Sequence, residues 1–119
     1  MWPQRMFSWM LAGCLAAGAA NGALVAIEEA YEVELTALEL PAHAGGRVGL
    51  RPCAGCARVS LALGEGTRYL LGGSADGVTL PAFREAIART VDPRRAVVYV
   101  FYDPEALIVT RLVLDGASR

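Results

Sequence analysis

Between Tyr31 and Leu71 one pattern recurs: apolar and polar residues alternate with a period of two, the spacing at which side chains leave opposite faces of a β-strand. In YEVELTALEL (31–40), Tyr31, Val33 and Leu35 alternate with Glu32, Glu34 and Thr36 until Pro41 stops the run. After the loop AHAGG, Arg47 to Arg51 sets Val48 and Leu50 against the two arginines. Arg58 to Leu63 puts Val59, Leu61 and Leu63 on one side, and Thr67 to Leu71 continues beyond Gly64–Gly66. Four half-buried strands are therefore expected before any helix.

The period then changes. Thr79 is placed to cap a helix from Leu80 to about Val91, with Pro81 tolerated in its first turn. Leu80, Phe83, Ala86 or Ile87, and Thr90 or Val91 share one stripe, while Arg84, Glu85 and Arg89 face water. Asp92-Pro93 ends the helix. Ala96 to Tyr102 is continuously apolar, as expected for a central strand covered on both faces. Asp103-Pro104-Glu105-Ala106 carries turn chemistry, so Leu107 to Leu114 should return as the second arm of a hairpin. The expected fold is α+β: an antiparallel sheet of about six strands, β-β-β-β-α-β-β, with one helix packed on one face. No internal repeat is visible.

The segment before this pattern has the layout of a secretory signal: one positive charge at Arg5, an uninterrupted weakly apolar stretch from Met6 to Ala20, and small residues at its end. Cleavage after Ala20 or Gly22 would leave a single domain over residues 23–119, close to the usual size of one core. Two other fates fit the same residues. Leu11-Ala12-Gly13-Cys14 resembles a lipobox, which would make Cys14 a lipidated N-terminus, and the uncharged run from Met6 to Ile27 is long enough to stay as an anchor. In each case Arg5 remains inside and the domain crosses, so an exported, periplasmic or extracellular location is expected, with the membrane touched only through this segment.

Charge narrows the choice of partner. The formal net charge of −1 becomes −2 without Arg5, so no global basic field exists to hold nucleic acid. All eleven basic residues are arginines. Arg47, Arg51 and Arg58 project from the outward positions of the second and third strands, with Arg68 on the fourth. They form either cross-strand ion pairs with Glu32 and Glu34 or a basic face suited to an acidic envelope protein or an anionic glycan.

Outside the leader only Cys53 and Cys56 remain, an even count that favours a disulfide beyond the cytoplasm. Gly55 supplies a residue tolerant of positive φ for so tight a turn between antiparallel strands. CxxC beside Arg51 also suits thiol-disulfide exchange or metal capture. Against exchange, strand-like alternation resumes at Arg58, where a redox CxxC would open a helix. Against metal, His43 would be only a third ligand, all three methionines lie in the leader, and Ala57 removes the CxxCH haem motif. Ser60 and Ser74 lack a nucleophile context, and Asp76, Asp92 and Asp103 sit in turns rather than in a calcium loop. The expectation is a non-catalytic binding module with a Cys53–Cys56 disulfide and no metal or cofactor, with a CxxC redox or metal-handling protein as the alternative.

Overall fold

A computed structural model describes residues 27–116; the expected signal at 1–22 and Cys14 lie outside the described residues. The chain forms β1 (Glu29–Glu34), a 3-10 turn (Leu35–Ala37), β2 (Leu38–Glu39), β3 (Arg47–Leu50), β4 (Val59–Leu71), β5 (Gly77–Val78), α1 (Leu80–Ala88), β6 (Val97–Asp103) and β7 (Ile108–Asp115). It is mostly sheet with one helix. The strands pair in the order β1-β6-β7-β4-β3-β2, and β5 pairs with the far end of β4.

This order forces the sheet to curl. β1 and β2 occupy its two ends, yet only the three residues of the 3-10 turn separate them. Four Cα steps reach at most about 14 Å, whereas six strands laid flat would hold their edges about 24 Å apart. The turn is stitched to both sides of the gap: Leu35 N–H donates to Ala96 O at 2.9 Å, and Arg51 N–H donates to Ala37 O at 3.1 Å. β1 and β2 thus act as one kinked strand that pairs first with β6 and then with β3.

Several expectations are corrected. The single first strand breaks at Leu35–Ala37, because a straight strand could not serve both edges. The third and fourth strands are one strand of 13 residues, in which Gly64–Gly66 lies within a register shift rather than a turn. Thr67 Oγ1 stabilises that irregularity by accepting from Gly64 N–H at 2.9 Å and donating to Val109 O at 2.6 Å. The sheet is mixed, since β4 and β7 run parallel. The crossover through α1 sets β6 two positions from β4, running antiparallel to it, and the returning strand of the β6–β7 hairpin fills the space between them. Reversing direction at the hairpin makes β7 parallel to β4.

The core lies inside the curl. Val48, Leu50, Leu61, Val98, Val100, Val109, Leu112 and Leu114 are almost wholly buried and come from β3, β4, β6 and β7. Thr79 caps α1 through its Oγ1, which accepts from Ala82 N–H at 3.2 Å. Phe83, on the face of the helix that meets the sheet, is fully buried, with its ring 5.7 Å from that of Tyr69 on β4. The helix ends at Ala88 rather than near Val91, closed by Thr90 N–H on Ile87 O and by Thr90 Oγ1 on Ala86 O. β6 differs from its expected double burial: Val98, Val100 and Tyr102 enter the core, but Val97, Tyr99 and Phe101 stay partly exposed, with the Arg111 guanidinium 3.7 Å above the Phe101 ring.

Candidate functional site

The outer surface of β3 and β4 carries the arginines singled out by alternation. Val48 and Leu50 point into the curl, so Arg47 and Gly49 point out of it, and Ser60 and Ala62 accompany them from β4 through the pairs Gly49↔Ser60 and Arg47↔Ala62. Arg47 Nε donates to Ser60 Oγ at 2.8 Å and its Nη2 to Ser60 O at 3.2 Å, bonds that fix the side chain without neutralising it. Arg58, just before β4, crosses over Gly49 to pair with Glu39 of β2. A Cβ at Gly49 would lie 2.6 Å from Arg58 Nη2, so the absence of a side chain there clears the route. Arg51 is exposed at the end of β3 and, among the described residues, neither it nor Arg47 has a carboxylate partner. Arg68 is apart from this group: it faces Arg111 of β7 and donates to Ala75 O.

Glu32 and Glu34 do not supply the expected cross-strand partners. They pair with Tyr99 and Val97 of β6, and Glu34 Oε1 accepts from Thr36 Oγ1 at 2.7 Å. Glu39 takes that role instead. Its outward position follows from the 3-10 turn, which resets the phase of the alternation. The visible signal is the change from Leu35 to Leu38 and Leu40, a spacing of three followed by two.

Arg51 joins two clefts. One, of about 260 Å³, runs past Thr36, Glu39 and Arg58; the other, of about 270 Å³, runs past Glu34, Pro52 and Cys53. Arg51 thus shares one cleft with Arg58 and Glu39 and the other with Glu34 and Cys53.

Cys53 and Cys56 occupy the loop between β3 and β4, with their sulfurs at bonding distance and their Cα atoms 5.1 Å apart. Cys56 N–H donates to Cys53 O at 3.1 Å, and Gly55 adopts φ 86°, the left-handed value required at the third position of a type II turn. No helix begins at either cysteine, so the N-terminal helix field that depresses a redox thiol is missing from this loop.

The remaining polar groups are structural in their surroundings. Tyr102 donates to Glu29 Oε2 at 2.9 Å and stacks on Tyr31, with ring centroids 5.1 Å apart. Hydrogen bonding with Tyr31 first, then burial and Glu29, pushes its phenol above the ordinary range. The buried Tyr69 hydroxyl has no hydrogen-bond partner among the described residues, and burial raises its pKa. An apolar groove of about 220 Å³ separates Leu35, Leu38 and Leu40 from Ile87 and Ala88 of α1. His43 is exposed in the β2–β3 loop; among the described residues no group of three or more His, Cys, Asp or Glu side chains is placed to hold a metal ion, and no helix is long and apolar enough to cross a membrane. Sequence reasoning missed Glu39, Leu107 and Ile108, the last two exposed beside this surface at the tip of the β6–β7 hairpin.

No family model matches the chain, and neither does any curated protein or solved structure.

Proposed function

We propose that this chain is a small exported binding module whose ligand surface is the outer face of β3 and β4. Two exposed arginines, Arg47 and Arg51, stand on that face without carboxylate partners among the described residues, and this observation carries the reading. An anionic partner, an acidic envelope protein or an anionic glycan, would supply the missing charge. Connectivity adds support by analogy. With β1 and β2 counted as one kinked strand, the barrel order is first, fourth, fifth, third, second, closing on the first, with the helix between the third and fourth strands and the third and fifth parallel. This is the connectivity of an OB-type barrel, a fold that binds oligonucleotides and oligosaccharides on its second and third strands. Here those strands are β3 and β4. The net charge of −1 makes a nucleic acid the less suitable ligand.

Replacing Arg47 and Arg51 by serine tests the reading through retention on an anionic resin or an envelope extract across a salt series. Retention should fall and lose its salt dependence while the melting temperature holds, because exposed charges act over about 8 Å at physiological ionic strength. Unchanged retention with lower stability would make the arginines sheet-stabilising groups only. Export itself is tested by cell fractionation with N-terminal sequencing, and a cytosolic product retaining Met1 would refute it.

Thiol-disulfide exchange is the second reading, favoured by the exposure of Cys53 beside Arg51 in the shared cleft. Free-thiol counting under air and under mild reductant separates the two. A pair as oxidising as a dedicated oxidase would favour exchange, and a strongly reducing potential would favour a structural bridge.

A further inference from the structure

The β6–β7 turn concentrates two local costs in one residue. Leu107 has φ 56°, and among the described residues it is the only non-glycine with positive φ. In that region the leucine Cβ crowds its own backbone, which is why Gly and Asn usually occupy such positions. The turn already holds this conformation through polar contacts: Asp103 Oδ1 accepts from Glu105 and Ala106 N–H, and Leu107 N–H donates to Asp103 O at 2.8 Å. An asparagine would fit the same backbone at lower cost. Leu107 is nevertheless 49 % exposed, and its neighbour Ile108 is 41 % exposed. Strain and apolar exposure thus coincide on one hairpin tip, and strained backbone of this kind clusters at ligand clamps and switch regions.

The register places this tip beside the arginine surface. Ala62 of β4 pairs with Arg47 of β3 on one side and with Ile108 of β7 on the other, and Ala62 N–H donates to Leu107 O at 3.1 Å. Arg47 and Ile108 therefore flank a single methyl group, two strand spacings or about 10 Å apart at their backbones. Gly64 keeps the ground beside Ile108 clear, since a Cβ there would meet Ile108 Cγ2 at 3.2 Å. An extended peptide presents side chains i and i+2 on one face about 7 Å apart, somewhat less than the roughly 10 Å between the backbones of Arg47 and Ile108, whose side chains lie between. Aliphatic surface offers nothing to the hydroxyls of a glycan, whose burial against it would go uncompensated.

We propose that the partner of this face is a polypeptide segment carrying an aliphatic side chain two residues from a carboxylate, with Leu107 and Ile108 receiving the first and Arg47 the second. The proposal rests on the ligand surface assigned above and adds the class of partner. Fluorescence anisotropy with the full chain and a labelled peptide of Leu-Ser-Asp-Ser repeats tests it, alongside an Ala-Ser-Asp-Ser peptide and a sulfated oligosaccharide. The leucine peptide should bind about fivefold more tightly than the alanine peptide, the change expected from burying roughly half of an aliphatic side chain. Leu107→Asn should reduce that difference to about twofold or less, Ile108 remaining, while leaving the melting temperature unchanged or higher. Arg47→Ser should weaken both peptides. Equal binding of the two peptides, preference for the oligosaccharide, or a Leu107→Asn variant that loses stability together with binding would overturn the proposal while leaving the arginine surface in place. Absence of binding to all three probes would remove the underlying surface as well.

Discussion

The hairpins β6–β7 and β3–β4 sit on opposite sides of the same sheet order and are held by different forces. In β6–β7, Val98, Val100, Leu112 and Leu114 are fully buried, and the four-residue connection is closed by Asp103. In β3–β4, Val48, Leu50 and Leu61 supply the buried face, but the outer face is occupied by Arg47, Arg58 and a glycine, and the eight-residue connection from Arg51 to Arg58 contains Cys53 and Cys56. The first hairpin is stabilised by burial on its inner face and a self-contained turn. The second relies on surface bonds and, in its long loop, on a covalent link. Charged groups kept at a surface contribute little to stability and remain available for a partner, which is why the ligand reading falls on β3–β4.

Three substitutions put this contrast at risk. Phe83→Ala should have the largest effect, a loss of about 3–5 kcal/mol on thermal or urea unfolding, because it removes a fully buried ring from between α1 and β4. A loss under about 1 kcal/mol would mean that the helix is not part of the core. Cys53→Ser comes next: closing a four-residue ring stabilises by about 2 kcal/mol in the chain-entropy model, a shift of roughly 8–16 °C for a domain of this size. The protein should keep its circular dichroism spectrum, and an unchanged melting temperature would show that the loop needs no bridge. Gly49→Ala should be the mildest. Its methyl group would displace the end of a flexible side chain, breaking the exposed Arg58–Glu39 pair at a cost of about 1 kcal/mol or less. In an Arg58→Ser background most of that cost should vanish, and a fully additive double mutant would refute the steric explanation.

Much of the outline was readable from neighbours in the sequence. Alternation marked the strand segments at Tyr31, Arg47, Arg58 and Thr67, Thr79 marked the start of the helix, and Asp103-Pro104 marked the last hairpin, since each depends on residues a few positions apart. The same logic placed Arg47 and Arg58 on one outer surface opposite Val48 and Leu61. It failed where distant strands choose one another. Alternation read from Tyr31 to Thr36 left Glu39 unassigned, and carried on strictly it would turn Glu39 inward, because nothing in YEVELTALEL states that its two halves belong to different edges of one sheet.

By itself, then, the sequence determined most of the stretches that become strand, where the helix begins, the inward and outward sides of most strands, the turn that brings the two cysteines together and the absence of a basic field. Only the tertiary structure decided the parallel pairing of β4 with β7, the curl that makes β1 and β2 consecutive across a gap, the partnership of Arg58 with Glu39 and the left-handed backbone at Leu107. The division has one physical cause. Side-chain periodicity and capping are settled by contacts between near neighbours, whereas strand order follows from burying Phe83 and the valines and leucines of four strands in a common core, a requirement that no local stretch of chain contains.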